Sequence, residues 1–179
     1  MIVETPLATQ RLLLDTLTPQ TASGSYASWF SDPYVTRFIE GGREKPSSEE
    51  LEQYISGMNE SPYDLLLGIF MQDTRTHIGN IKIGSIDRFH KRGDIGLLIG
   101  ERSQWGKGYG SEAIGAVTEY AEKPLGLRRV FAGCHATNAG SVAAFVKAGF
   151  EIEGRMREHA RDGDTFVDGI IVGKRLGER

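Results

Sequence analysis

The stretch that leaves this chain the fewest possible folds is residues 93–123, where GDIGLLIGE runs into SQWGKGYGSEAIGAVTEYAEK. Gly93 to Glu101 carries Ile95, Leu97, Leu98 and Ile99, the pattern of a strand buried on at least one face. From Ala113 the period changes. Ala113, Ile114, Val117, Tyr120 and Ala121 form a one-sided helical stripe that Lys123 and Pro124 close. Between strand and helix, Gly106-Lys107-Gly108-Tyr109-Gly110 places three glycines in five residues. Inside a helix each would cost roughly 1 kcal/mol against alanine, so another use is implied. Bare backbone at a helix N-terminus offers unpaired N–H groups and the positive end of the helix dipole, which suits an anion such as a pyrophosphate.

Two common nucleotide loops do not fit this spacing. The P-loop string G-x-x-x-x-G-K-[ST] is not in the chain. A dinucleotide fingerprint reads G-x-G-x-x-G near a domain start, with an acidic residue about 20 positions on. Here the string is G-x-G-x-G, it falls past mid-chain, and the next strand ends in Cys134-His135. The spacing therefore disfavours a nucleotide-dependent oxidoreductase or an NTPase. Trp105-Gly-Lys-Gly-Tyr-Gly-Ser-Glu-Ala113 instead resembles the acetyl-CoA pyrophosphate loop of the GNAT acetyltransferases, in the form seen in their RimJ/RimL-like branch. The family pattern Arg/Gln-x-x-Gly-x-Gly/Ala maps onto Trp105 to Gly110, with Trp105 in the first place, a departure usual in that branch. Downstream, Asn138-Ala-Gly-Ser141 and Lys147-Ala-Gly149-Phe150 are similar to the family's Asn-x-x-Ser and Lys-x-Gly-Phe. The resemblance implies an α+β (mixed α/β) GNAT fold over a single domain, 1–179. Its centre would be a twisted, mostly antiparallel sheet with one splayed parallel strand pair and flanking helices.

Composition agrees with a soluble globular protein. With 179 residues and 39% hydrophobic content, one domain with a real core is expected. A net charge of −3 with both signs interspersed gives no basic face for nucleic acid and no polybasic membrane anchor. MIVETPLATQ has no charged leader followed by a long apolar run, so the expectation is a cytoplasmic protein. The single cysteine, Cys134, excludes an intrachain disulfide and reads as a small buried hydrophobe. His77, His90, His135 and His159 have no ligand spacing, so no metal is expected.

Along the chain, Arg11 to Thr16 reads as a strand, and Thr18-Pro19 opens a helix to about Phe30. Two short helices broken at Asp32-Pro33 follow, and Ser47-x-x-Glu50 is a capping box for a helix to about Asn59. Leu65 to Met71 and His77 to Ile86 form a meander with the central strand. After the glycine loop come a strand at Arg129 to His135 and a helix at Ala139 to Ala148. A hairpin then turns at Asp162-Gly163, with strands at Glu151 to Arg161 and Phe166 to Lys174.

Transfer of an acetyl group from a thioester to an amine needs an anchored cofactor, a neutral amine, an oxyanion donor and a proton for the leaving thiolate. The resemblance assigns the pyrophosphate to Trp105, Gly106, Lys107, Gly108, Tyr109, Gly110 and Ser111. It assigns the pantetheine arm to the backbone of Leu98, Ile99 and Gly100, and implies acetyl-CoA as cofactor. Asn138 and Ser141 stand three apart at a helix start, the geometry of a cap. In the family the matching residues touch the cofactor arm and sulfur. Phe145 either packs on the same arm or fills the core. Many relatives carry a tyrosine where this chain reads Ala143-Ala144-Phe145, so Ser141 is the candidate acid. For the base, Glu158 shares the strand face of Ala160 if no bulge intervenes, and His135 is the other candidate. The segment Trp29 to Glu40 lies where the family builds one wall of the acceptor pocket. Trp29, Tyr34, Arg37 and Glu40 are its candidate contacts, although Trp29, Phe30 and Phe38 also read as core.

The activity implied is acetyl-CoA-dependent N-acetyl transfer by direct attack of a primary amine, the acceptor being an amino sugar or other small amine. Two alternatives stand beside it: acetylation of protein N-termini, with a peptide amine as acceptor, and a non-catalytic acyl-CoA-binding module. Dimers are frequent in the family, and the sequence leaves a homodimer open with either a small-molecule or a peptide amine as acceptor.

Overall fold

The computed structural model describes residues 1–39 and 45–177. One sheet of eight strands runs through it, in the order β1-β2-β3-β4-β5-β6-β8-β7. The strands are β1 (Leu7–Ala8), β2 (Leu12–Thr16), β3 (Leu65–Met71), β4 (His77–Asp87), β5 (Arg92–Ile99), β6 (Arg129–His135), β7 (Glu151–Asp162) and β8 (Thr165–Arg175). The helices are α1 (Ser25–Trp29), α2 (Pro33–Thr36), α3 (Ser48–Glu60), α4 (Tyr109–Glu122) and α5 (Ala139–Lys147). All neighbouring strands pair antiparallel except β5 and β6. That parallel pair holds only from Arg92, Gly93 and Asp94 to Arg129, Val130 and Phe131, after which the strands part. The expected mixed fold with a splayed parallel pair is therefore present.

Alternation along the strands gives each face of the sheet its own core. Ile81, Ile83 and Ile95 point to one side, where Ala113, Ile114, Val117 and Ala121 of α4 and Phe145 of α5 cover them. Leu66 and Leu98 point to the other, beneath Tyr26 and Trp29 of α1 and Leu51 and Ile55 of α3. The capping box at Ser47 and Glu50 forms as expected. The helix expected from Thr18 to Phe30 is divided instead. A 3-10 turn, Pro19–Ser23, precedes α1, because Gly24 at φ −93° and ψ −139° leaves the helical region.

Two β-bulges set side-chain directions near the site. In β4, Ile69 pairs with Gly79 but Phe70 pairs with His77, so Ile78 is the extra residue. In β7 the register jumps between Met156 and Ala160, and Glu158 takes φ +50°. Its N–H donates to Asp168 Oδ1 at 2.8 Å, while Arg155 pairs with Oδ2 of the same carboxylate.

Candidate active site

The glycine loop builds the N-terminus of α4. Gly106 and Gly108 take φ +74° and +84°, values L side chains rarely adopt, and Gly108 is the N-cap. A methyl group in place of the Gly108 hydrogen would lie 3.6 Å from Arg11 Nη2 and 3.6 Å from Lys147 Nζ, so two cations flank the turn. Arg11 is held there by several contacts. Nε donates to Glu112 Oε2 at 2.7 Å, Nη1 donates to the Lys107 carbonyl at 3.0 Å, and the guanidinium lies 4.4 Å from the Tyr109 ring centroid. Ser111 Oγ donates to the Gly108 carbonyl at 3.3 Å. Backbone N–H groups at a helix start, left-handed glycines without side-chain cover and two flanking cations are what a pyrophosphate requires, so these residues fit such a group.

Beside this cradle, β5 and β6 diverge. The N–H of Gly100 donates to the Ile78 carbonyl at 3.0 Å, and the Leu98 carbonyl faces Gly79. Both groups therefore belong to the β4 side, and alternation turns the backbone of Ile99 toward the opening. Trp105 Nε1 donates to the Ile99 carbonyl at 2.7 Å, which leaves the Ile99 N–H for the opening. Of the three backbone positions expected to meet the cofactor arm, only Ile99 has that orientation.

A cleft of about 1110 Å³ joins the cradle and the opening to a wall made by α1, α2, α3 and the β7–β8 hairpin. Leu98, Ile99, Trp105 to Ser111, Asn138, Ser141, Phe145, His135 and Tyr34 all line it. Asn138 is the N-cap of α5, its Oδ1 accepting from Ser141 N at 3.2 Å. Ser141 Oγ lies 3.3 Å from Cys134 Sγ. Burial pushes the Cys134 thiol above its ordinary pKa, with Ser141 acting weakly the other way, so it is a poor source of thiolate. Phe145 is buried and packs edge-on against Phe150 at 5.1 Å, filling the core as well as the cleft wall. His135 meets the ring of Phe38 edge-on at 5.6 Å, and its Nδ1 has no hydrogen-bond partner among the described residues.

Several expected contacts lie elsewhere. Glu158 is exposed and outside the cleft because the bulge reverses its side, and His159 lines the cleft in its place. Gly169 makes room for that change: a side chain there would meet His159 Cδ2 and Met156 Cε, each at 3.0 Å. Trp29 is 4% exposed and does not reach the cleft, since it packs over Gly100 in the second core. Arg37 also misses the cleft, its Nε and Nη2 donating to the two carboxylate oxygens of Asp162 at 3.0 and 2.8 Å. Glu40 lies outside the described residues. Tyr26, Tyr54, Asn80, Lys82 and Asp94 also line the acceptor side, and no motif in the sequence singles them out. Asn80 and Lys82 alternate on β4, and that period-2 pattern is the one signal that points two polar residues to a common face.

The model for the "Acetyltransferase (GNAT) domain" family matches residues 11–151. The chain belongs to the GNAT acetyltransferases. Among curated GNAT relatives, the chain is 33% identical over 168 residues to N-acetyltransferase YoaA of Bacillus subtilis (strain 168), itself uncharacterized. That match covers 90% of this chain and 92% of YoaA. Among solved GNAT folds, RimL, described as a ribosomal L7/L12 α-N-protein acetyltransferase in complex with coenzyme A, superposes with a TM-score of 0.86. Its identity is 18%, over 96% of this chain and 98% of that one. Spermidine N-acetyltransferase from Vibrio cholerae, in complex with CoA and spermine, superposes with a TM-score of 0.83 at 17% identity, over 94% and 97%. Membership of the GNAT family makes the chain an acyltransferase that uses acetyl-CoA. No helix among the described residues is long and apolar enough to cross a membrane.

Proposed function

We propose that this GNAT domain acetylates the primary amine of a small molecule by direct attack on acetyl-CoA. The observation that carries the reading is the continuous cleft running from the glycine-loop cradle, past the parting of β5 and β6, to a walled acceptor end. The acceptor end is braced. The Arg37 and Asp162 ion pair, with Thr137 also donating to Asp162, ties α2 to the end of β7, two elements that wall it. A braced pocket suits a small amine better than the open groove an extended protein N-terminus needs.

Acetyl-CoA supplies an activated acetyl thioester. The N–H groups of Gly106 to Gly110, with Ser111, Arg11 and Lys147, would hold its phosphates. The Ile99 N–H, which the Trp105 bond to its own carbonyl leaves for the opening, would meet the arm and the acetyl carbonyl. Ser141 Oγ, at the start of α5 and 3.3 Å from Cys134 Sγ, would supply the proton that the departing sulfur takes. His135, on the acceptor side of β6, takes the proton lost by the amine. Nitrogen–carbon bond formation and carbon–sulfur cleavage then balance with one proton taken up and one released.

The test is release of free CoA thiol across amino sugars, amino acids, polyamines and peptides with free N-termini. Release with a small amine and none with peptides supports the reading. Peptides as sole acceptors would turn it to protein N-terminal acetylation, and cofactor binding without release would leave an acyl-CoA-binding module. Within an active enzyme, Ser141→Ala should lower kcat about 10²-fold with little change in the KM for acetyl-CoA. An unchanged kcat would reduce Ser141 to part of a helix cap.

A further inference from the structure

Strand β6 runs through the interior of the sheet, where a glycine weakens pairing and leaves nothing to pack. Gly133 stands in its middle and is exposed to the cleft. Among the described residues three glycines of the sheet line that cleft, Gly96, Gly133 and Gly169. Two of them make room for a side chain. A β-carbon at Gly96 would stand 2.9 Å from Lys82 Cε, and one at Gly169 would stand 3.0 Å from His159 Cδ2. At Gly133 the nearest atom among the described residues is Ile171 Cδ1, 4.0 Å away, an ordinary contact. Gly133 is not among the glycines with positive φ either, so an alanine there would meet neither strain nor collision. Neither the backbone nor the packing of the described residues requires a glycine at this place.

The peptide groups of Gly133 have a direction. Arg129 N–H donates to the carbonyl of Lys91, at the head of β5, at 3.2 Å, and Ala136 N–H donates to the carbonyl of Asp168 in β8 at 2.8 Å. Backbone groups along an interior strand alternate between its two neighbours, so those of Phe131, Gly133 and His135 turn toward β5. Pairing with β5 ends at Phe131. Gly133 is therefore the first residue of β6 whose N–H and carbonyl face the opening between the parted strands. His135, the proposed base, stands two residues further along the same face. Without a side chain at Gly133, a ligand entering from the acceptor end can come down onto the strand itself.

We infer that Gly133 is the specificity-determining floor of the acceptor end: the carbon that bears the reacting amine lies on its bare backbone, with width for a substituted carbon, one that belongs to a ring or carries a branch. A straight-chain amine leaves that width unfilled, whereas apolar atoms that fill it add contacts and remove surface from water. This inference rests on the acetyl-transfer reading above and adds the acceptor's shape at the reacting carbon.

The experiment compares cyclohexylamine with n-hexylamine, which have the same number of carbons but carry the amine on a ring carbon and on a chain end. Each is followed by thiol release with acetyl-CoA and by calorimetric binding to the protein saturated with CoA. In the native protein the ratio of kcat/KM, ring over chain, should exceed one. Gly133→Ala should cut that ratio about tenfold, the discrimination that one methyl-sized change of pocket gives, and Gly133→Val should cut it further. The Kd for acetyl-CoA should stay within about twofold of native. Gly133→Ala should also melt no lower than the native protein, since alanine fits the backbone and restricts the unfolded chain. A glycine kept for folding alone would instead lower the melting temperature and leave the ratio where it was. An unchanged ratio, a native ratio below one, or a loss of acetyl-CoA affinity overturns the inference. Neither binding nor release with the native protein overturns it too, and the wider panel of amines then decides transfer by itself. A ring preference in binding that Gly133→Ala removes, with no thiol released by any amine, would sink the transfer reading and keep the floor. Thiol release with a ratio that ignores the substitution would do the reverse.

Discussion

At Gly100 a side chain would collide with the indole of Trp29, so these two residues exist for each other. Both read from sequence as site residues, Gly100 for the cofactor and Trp29 for the acceptor. An aromatic in a short amphipathic segment looks the same whether its helix turns it to the core or to a cleft, and only the packing of α1 on His77 of β4 and on Gly100 decides. The same limit explains Arg37, whose ion-pair partner Asp162 lies far along the chain. By contrast Asn138, Ser141 and the glycines are legible, because a helix cap and a left-handed turn are local requirements that particular residue types meet. Gly100→Ala should overpack the second core and destabilise the protein by about 1–3 kcal/mol. The measurement is urea unfolding: the midpoint should fall with the slope unchanged.

Among the elements, strands and helices follow the hydrophobic periods closely, while the bulges leave no trace in them. The bulge in β7 depends on Asp168 of β8 accepting from Glu158 N and pairing with Arg155, a tertiary condition that no period in Glu151 to Arg161 encodes. It turns Glu158 away from the cleft and puts His159 there. Helix α4 has its own tie to the rest of the sheet through Glu112, which accepts from Thr9 Oγ1 at 2.6 Å, from Arg11 N at 2.8 Å and from Arg11 Nε. Burial pushes the Glu112 carboxyl up, but those hydrogen bonds and the Arg11 charge together bring it below its ordinary 4.5. A depressed folded pKa means that Glu112 adds stability above its unfolded value and loses it as the pH falls through the folded one. Glu112→Gln should therefore be less stable than the native protein near neutrality. The gap between their melting temperatures should close as the pH falls below the ordinary 4.5 of a glutamate carboxyl. A gap that persists unchanged at low pH would show that the carboxylate's charge is not what stabilises the junction.

Over the whole molecule, two cores grip opposite faces of one sheet, but the sheet itself is joined at its centre by only the short parallel pairing of Arg92–Asp94 with Arg129–Phe131. Beyond that seam the halves β1–β5 and β6–β8 are held by α4 and α5 packing across them. A ligand that spans the cradle and the opening should then stabilise the fold by mass action, by about 2.7 kcal/mol at one hundred times its Kd. Thermal unfolding with and without acetyl-CoA reads this directly. Gly108→Val, which forces a branched side chain into φ +84°, should abolish the ligand's effect at the same concentration while leaving both cores intact. An undiminished shift in that variant would move the anion site away from the loop. If the arm of acetyl-CoA lies where β5 and β6 part, it occupies the place of a strand between them. The protein's sheet is then a structure one strand short, and the strand that completes it is not made of amino acids.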